Sequence, residues 1–179
     1  MSSHDRGFSF VGFGRKLAVG VAALLALSAC TVQPLYAPTL SGASAVSALG
    51  QIAIDPVDTR VAQEIRNKLI FSLSGGSEPT APAFRMRLLV SSAESALGVA
   101  PVEAAPAYSI TVSATFEVKT VATGEIVLRG TSRGTASFDR VSQIYANTRA
   151  RLDAENRAAA LAADDIRIRL ASAAAKGTL

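Results

Sequence analysis

Few side chains in this 179-residue chain could do covalent chemistry. It has one thiol, Cys30, one imidazole, His4, and no tryptophan. A lone cysteine cannot close a disulfide within the chain, and one cysteine with one histidine falls short of the three or four protein ligands of a zinc site. The acids include an adjacent pair, Asp164-Asp165. Neighbours on a helix point about 100° apart, so this pair does not face one substrate as acid and base. Arginine is a commoner resource. Guanidinium forks match phosphate and carboxylate oxygens, so arginines gathered on one face would bind an anion without transforming it.

The surroundings of the thiol say what becomes of it. A short cationic start (Arg6, Arg15, Lys16) precedes an apolar run of 11 residues, Leu17 to Leu27. A membrane-spanning helix needs about 20 apolar residues, so this run has the length of a signal-peptide h-region and not of a permanent anchor. Ser28 and Ala29 then lead into Cys30. Leu27-Ser28-Ala29-Cys30 resembles the lipobox of bacterial lipoproteins. The resemblance implies a diacylglycerol thioether on Cys30, cleavage just before it and acylation of the new N-terminus. Residue 31 is Thr and not Asp, which in such lipoproteins favours the outer membrane. Two or more acyl chains anchor a protein stably where one does so marginally.

Removing residues 1–29 leaves 150 residues, enough for one domain, with 15 cations against 13 acids. The basic balance of the precursor is partly a property of its leader, and a nucleic-acid-binding reading loses most of its support. His4 departs with the leader and acylation consumes Cys30. Cys/His nucleophile pairs, Ser-His-Asp triads and Cys/His metal sites are then unavailable. The expectation is a non-enzyme without metal or cofactor. Residues 30–49, rich in Pro, Ser, Ala and Gly, read as a lipidated flexible tether, with an apolar Pro34-Leu35-Tyr36 patch beside the lipid. Residues 50–179 read as a single domain.

The elements of that domain follow from periodicity. Gln51 to Ile54 predicts a short strand, ended by Asp55-Pro56. Asp58 or Thr59 offers the N-cap of a helix whose stripe is Val61, Ile65, Leu69 and Leu73, stopped by Gly75-Gly76. Phe84 to Val90 alternates, with Arg85, Arg87 and Leu89 outward. Tyr108 to Lys119 alternates over 12 residues, apolar or small at even positions and polar at odd ones. Thr120 to Gly124 makes a hairpin loop and Glu125 to Phe138 returns, its glycines marking a bend or bulge. A helix from Val141 to about Ala174 would bury Tyr145, Leu152, Ala159, Ala163, Ile166 and Leu170. Leu161 and Ile168 are left on its outer side.

This order, βαβββα, predicts an α+β two-layer sandwich, a four-stranded mostly antiparallel sheet with two helices on one face. The other face stays polar. It collects Arg85, Arg87, Lys119, Arg129 and Arg133 among Ser and Thr hydroxyls, a candidate surface for a phosphorylated or acidic ligand. The connection 91–107 is longer than a hairpin needs and is a candidate for partner contact.

Taken in order, these residues resemble the LptE family of outer-membrane lipopolysaccharide-assembly lipoproteins. The resemblance is carried by Cys30 with Pro34-Leu35-Tyr36, by Arg60-Val61-Ala62-Gln63-Glu64-Ile65-Arg66-Asn67 leading to Gly75-Gly76, by the paired strands, and by Tyr145-Ala146-Asn147 and Asp164-Asp165-Ile166-Arg167-Ile168-Arg169-Leu170. It implies a non-enzymatic protein, lipid-anchored in the outer membrane and facing the periplasm or a barrel lumen. Such a protein plugs a large β-barrel lipopolysaccharide translocon, assists its assembly and touches lipopolysaccharide through basic residues. The rival expectation is an accessory lipoprotein of another envelope lipid-trafficking or transporter complex. That protein would need a continuous apolar groove.

Overall fold

The computed structural model describes residues 45–97 and 107–179. The leader, Cys30, the Pro34-Leu35-Tyr36 patch and residues 98–106 lie outside the described residues.

The elements run α1 (Ala45–Leu49), β1 (Ile52–Ile54), α2 (Arg60–Ser74), β2 (Phe84–Leu97), β3 (Ala107–Thr120), β4 (Ile126–Asp139) and α3 (Ile144–Ala175). The strands form one sheet in the order β1-β2-β3-β4. β1 is parallel to β2, and the other two pairings are antiparallel. The α+β architecture expected from the alternation is the one observed, with the short helix α1 added before β1. α1 falls in the stretch read as tether, and Leu49 at its end is buried in the core.

The caps explain the limits of α2. The Thr59 hydroxyl accepts from the Ala62 N–H at 3.3 Å, and Gly75 closes the helix with a φ of 71° that a side chain would oppose. Ile65, Leu69 and Leu73 are buried against the sheet. Arg66 Nε donates to the carbonyls of Ile54 and Asp55, both at 3.2 Å, and so ties the end of β1 to this helix.

β2 is longer than the alternation suggested. Ser91 to Leu97 continue it, registered from Ser91↔Ser113 to Leu97↔Ala107, so the expected connection 91–107 reduces to residues 98–106. Sequence pattern missed this extension because every residue from 91 to 97 is exposed, with no buried face to impose alternation. Here Arg151 reaches across from α3 to Glu94 at 2.6 Å, and that hydrogen bond holds the Arg151 pKa above its ordinary value.

α3 lies on the sheet through small residues. Ala154, Ala158, Ala159, Ala162 and Ala163 are buried, as are Ile166 and Leu170. Tyr145 does not join this stripe; it is 77% exposed in the helix's first turn, beyond the end of β4. Gly130 and Gly134 do not mark the irregularity of β4 either. The register shift lies between Val118 and Lys119, where Leu128 and Ile126 are successive partners and Val127 is the extra residue. The glycines answer to packing. A Cβ on Gly134 would overlap the Ala158 carbonyl oxygen and lie 2.9 Å from Ala162 N, and one on Gly130 would lie 3.0 Å from the Phe116 ring. Between them the buried Ser132 hydroxyl faces Ala162 O at 2.9 Å and Asp165 Oδ2 at 2.8 Å. We expect Ser132→Ala to lower the unfolding free energy by about 1 kcal/mol, the net worth of a typical hydrogen bond, and chemical denaturation of purified protein would measure it. No change would mean that this bond is not part of the seam's stability.

Candidate functional site: the open face of the sheet

Helices cover one face of the sheet, and odd-numbered side chains of β2, β3 and β4 point from the other. The register gives its rows. Arg85 stands beside Lys119, Arg87 beside Glu117 and Glu117 beside Arg129. The next row is Leu89, Thr115 and Thr131, and beyond it Ser113 faces Arg133. Arg85, Arg87, Lys119 and Arg129 therefore gather toward one end of the face. Arg133 lies four residues along β4 from Arg129, about 13 Å away at the rise of a strand.

Two concavities open on this end. One, of about 410 Å³, is lined by Asp55, Arg85, Arg87, Glu117, Lys119, Thr120, Val121 and Gly124. The other, of about 290 Å³, is lined by Arg87, Leu89, Thr115 and Glu117. Arg87 and Glu117 line both. Arg85 Nη1 pairs with Asp55 Oδ1 at 3.0 Å, and the partly exposed Glu117 is the carboxylate between Arg87 and Arg129. The four gathered cations thus outnumber the two acids among them. Leu89, 75% exposed, adds an apolar wall.

Farther along, hydroxyls replace charge: Thr115 with Thr131 at 3.1 Å and Thr111 with Thr135 at 3.2 Å are cross-strand hydrogen bonds. The face offers guanidinium forks, one ammonium and hydroxyls around an apolar side chain. That set suits a ligand with both phosphate and hydrocarbon parts. No sequence pattern marks Asp55 or the Thr120–Gly124 turn as parts of this site. In sequence Asp55 only ends β1 ahead of Pro56, and the parallel pairing of β1 on β2 brings it to Arg85.

Among the described residues no group of three or more His, Cys, Asp or Glu could hold a metal, and no helix is long and apolar enough to cross a membrane. The fold and the face together define a class: an α+β sandwich that presents an open, basic sheet surface. Within that class, the chain belongs to the LptE family, described as lipopolysaccharide-assembly, whose family model matches residues 49–170. It is thereby a lipopolysaccharide-assembly lipoprotein of the cell envelope, in a family of non-enzymatic accessory proteins. A solved structure from Caulobacter crescentus CB15, assigned to the lipoproteins, is similar over 74% of this chain and 96% of its own, at 24% identity and a TM-score of 0.63. The minor lipoprotein from Acinetobacter baumannii is similar over 68% of this chain and 88% of its own, at 10% identity and a TM-score of 0.50. At those identities the likeness shows the fold. No curated protein matches the chain.

Proposed function

We propose that this protein is anchored in the outer membrane by lipid on Cys30, faces the periplasm or a barrel lumen, and plugs the β-barrel that translocates lipopolysaccharide. It assists assembly of that barrel and insertion of lipopolysaccharide at the cell surface. The observation that carries the ligand part is the pair of adjoining concavities that share Arg87 and Glu117, one lined also by Arg85 and Lys119 and the other walled by exposed Leu89, with Arg129 beside Glu117 in the same row. Lipopolysaccharide presents phosphates to such cations and hydrocarbon to such a leucine. The polar remainder of the face suits a hydrated lumen and argues against the continuous apolar groove that a general lipid carrier requires.

The test is binding of purified lipopolysaccharide to the detergent-solubilised protein. Joint Arg87→Glu and Lys119→Glu is expected to weaken binding at least tenfold, about 1.4 kcal/mol, with unchanged circular dichroism. Arg133→Glu alone, outside the cluster, is expected to weaken it by less. Unchanged binding in the double variant would overturn the assignment of this cleft. Mild-detergent extraction of the tagged protein tests the partner: a large outer-membrane β-barrel in near one-to-one ratio supports the plug, and inner-membrane transporter subunits in its place would overturn it.

A further inference from the structure

β4 is the last strand of the sheet and runs for 14 residues. Thr120 N–H donates to Glu125 O at 2.9 Å, and that pairing, carried along β3 through the register shift, turns the even positions of β4 toward β3. The odd positions then present their N–H and C=O to the free edge: Arg129, Thr131, Arg133, Thr135 and Ser137. Ser137 O accepts from Arg157 Nη2 at 2.8 Å, as expected of a carbonyl that no strand engages. Unpaired edges of this length are templates for another strand.

The surroundings of this edge are two-sided. On the helix side a groove of about 510 Å³ runs between Thr135–Ser137 and α3, lined by Arg157, Ala160, Leu161 and Asp164. Leu161 is 52% exposed, and Ile168, 50% exposed, follows seven residues later, within about 20° of it around the helix. They form an apolar ledge beside the strand. Asp164, the acid of the groove, is engaged by Lys68 at 2.9 Å. On the open side stand exposed Arg129 and Arg133, with the hydroxyls of Thr131 and Thr135. On the other side of the sheet, Asp55–Thr59 line a concavity together with Arg87–Val90 of β2, and beyond them, over Ser91–Leu97, the helix side carries only Ser92, Glu94 and Ala96 and no such ledge.

We propose that the free edge of β4 binds an extended polypeptide by strand addition, selecting a segment that alternates acidic with apolar residues. Its backbone pairs with the odd positions from Arg129 to Thr135. Its acidic side chains lie beside Arg129 and Arg133, and its apolar ones lie on Leu161 and Ile168. Charge decides against a second copy as occupant: two β4 edges laid together would bring their arginines into one small area. The inference rests on edge geometry and charge and does not depend on the lipopolysaccharide reading.

The test uses the full chain in detergent and fluorescent eight-residue peptides. A glutamate–valine alternating peptide is expected to bind and to slow amide exchange at residues 129–135. A lysine–valine peptide, and a glutamate–valine peptide N-methylated at alternate amides, are each expected to bind at least tenfold more weakly. Joint Arg129→Glu and Arg133→Glu, or joint Leu161→Asp and Ile168→Asp, should weaken binding by a similar factor with native circular dichroism. Arg87→Glu with Lys119→Glu, which disables the lipopolysaccharide cleft, should leave it unchanged. Equal binding of the N-methylated peptide would reduce the effect to charge attraction and overturn strand addition. No binding of any peptide at millimolar concentration would overturn the proposal outright.

Discussion

Gly134→Val is expected to remove at least about 3 kcal/mol of stability, a large part of what a domain of this size commonly has. A Cβ at this position overlaps the Ala158 carbonyl oxygen and meets Ala162 N at 2.9 Å, and both belong to the backbone of α3. A backbone cannot turn aside as a side chain can. The helix would have to lift from β4 along the seam where Ala154, Ala158 and Ala162 are buried, and Ser132 would lose Ala162 O and Asp165 with it. Thermal and urea unfolding would read the loss. Gly134→Ala should fall between wild type and valine. Gly130→Ala should cost less, because its Cβ meets a ring edge at 3.0 Å and not a main chain. A Gly134→Val protein that unfolds at the wild-type midpoint would show that the helix is not held at this distance.

The second large effect concerns location. If Cys30 carries the acyl chains, Cys30→Ser removes both the thioether lipid and the processing that follows it. The described part of the chain offers no membrane-spanning helix in compensation. Purified wild-type protein is expected to float with lipid vesicles, and Cys30→Ser protein produced without residues 1–29, whose apolar run would otherwise stay attached, to stay in the dense fraction, an all-or-nothing difference at the affinities that separate two or three chains from none. Vesicles free of other proteins matter here, since a barrel partner would retain the variant in cells. Co-flotation of Cys30→Ser would place membrane affinity in the folded body and sink the tether.

The sequence was readable wherever one face of an element is buried along its whole length. β3 is the clearest case, with Ile110, Val112, Phe116 and Val118 inward and polar residues between them; α2, with its four-residue stripe and glycine stop, is another. Legibility failed where burial did not impose a pattern. The second half of β2 is exposed throughout, so its strand character comes only from hydrogen bonding to β3. On α3, alanine carries most of the contact, and an alanine-rich helix has apolar residues on every side. Its orientation is set by Gly130, Ser132 and Gly134 on a strand remote in sequence, and Tyr145, which shares its angular position with buried Ala163, is exposed because the first turn runs beyond the end of β4. The basic face was legible residue by residue from alternation, but its gathering toward one end depends on register. Its coupling to Asp55 depends on a parallel pairing that no local pattern announces.

The pairing of α2 with α3 bears on the order in which the chain appears. Lys68 meets Asp164 and Arg60 meets Glu155, partners 96 and 95 residues apart, and the same helix faces bury Ile65, Leu69 and Ile166. The apolar stripe of α2 therefore emerges well before the helix beside which it packs, at whatever rate the chain is delivered to the compartment where it folds. The three antiparallel strands and α3, in contrast, arrive consecutively and can close on one another as they appear. The N-terminal third is thus the part left waiting, its helix completed last by a partner from the far end of the chain.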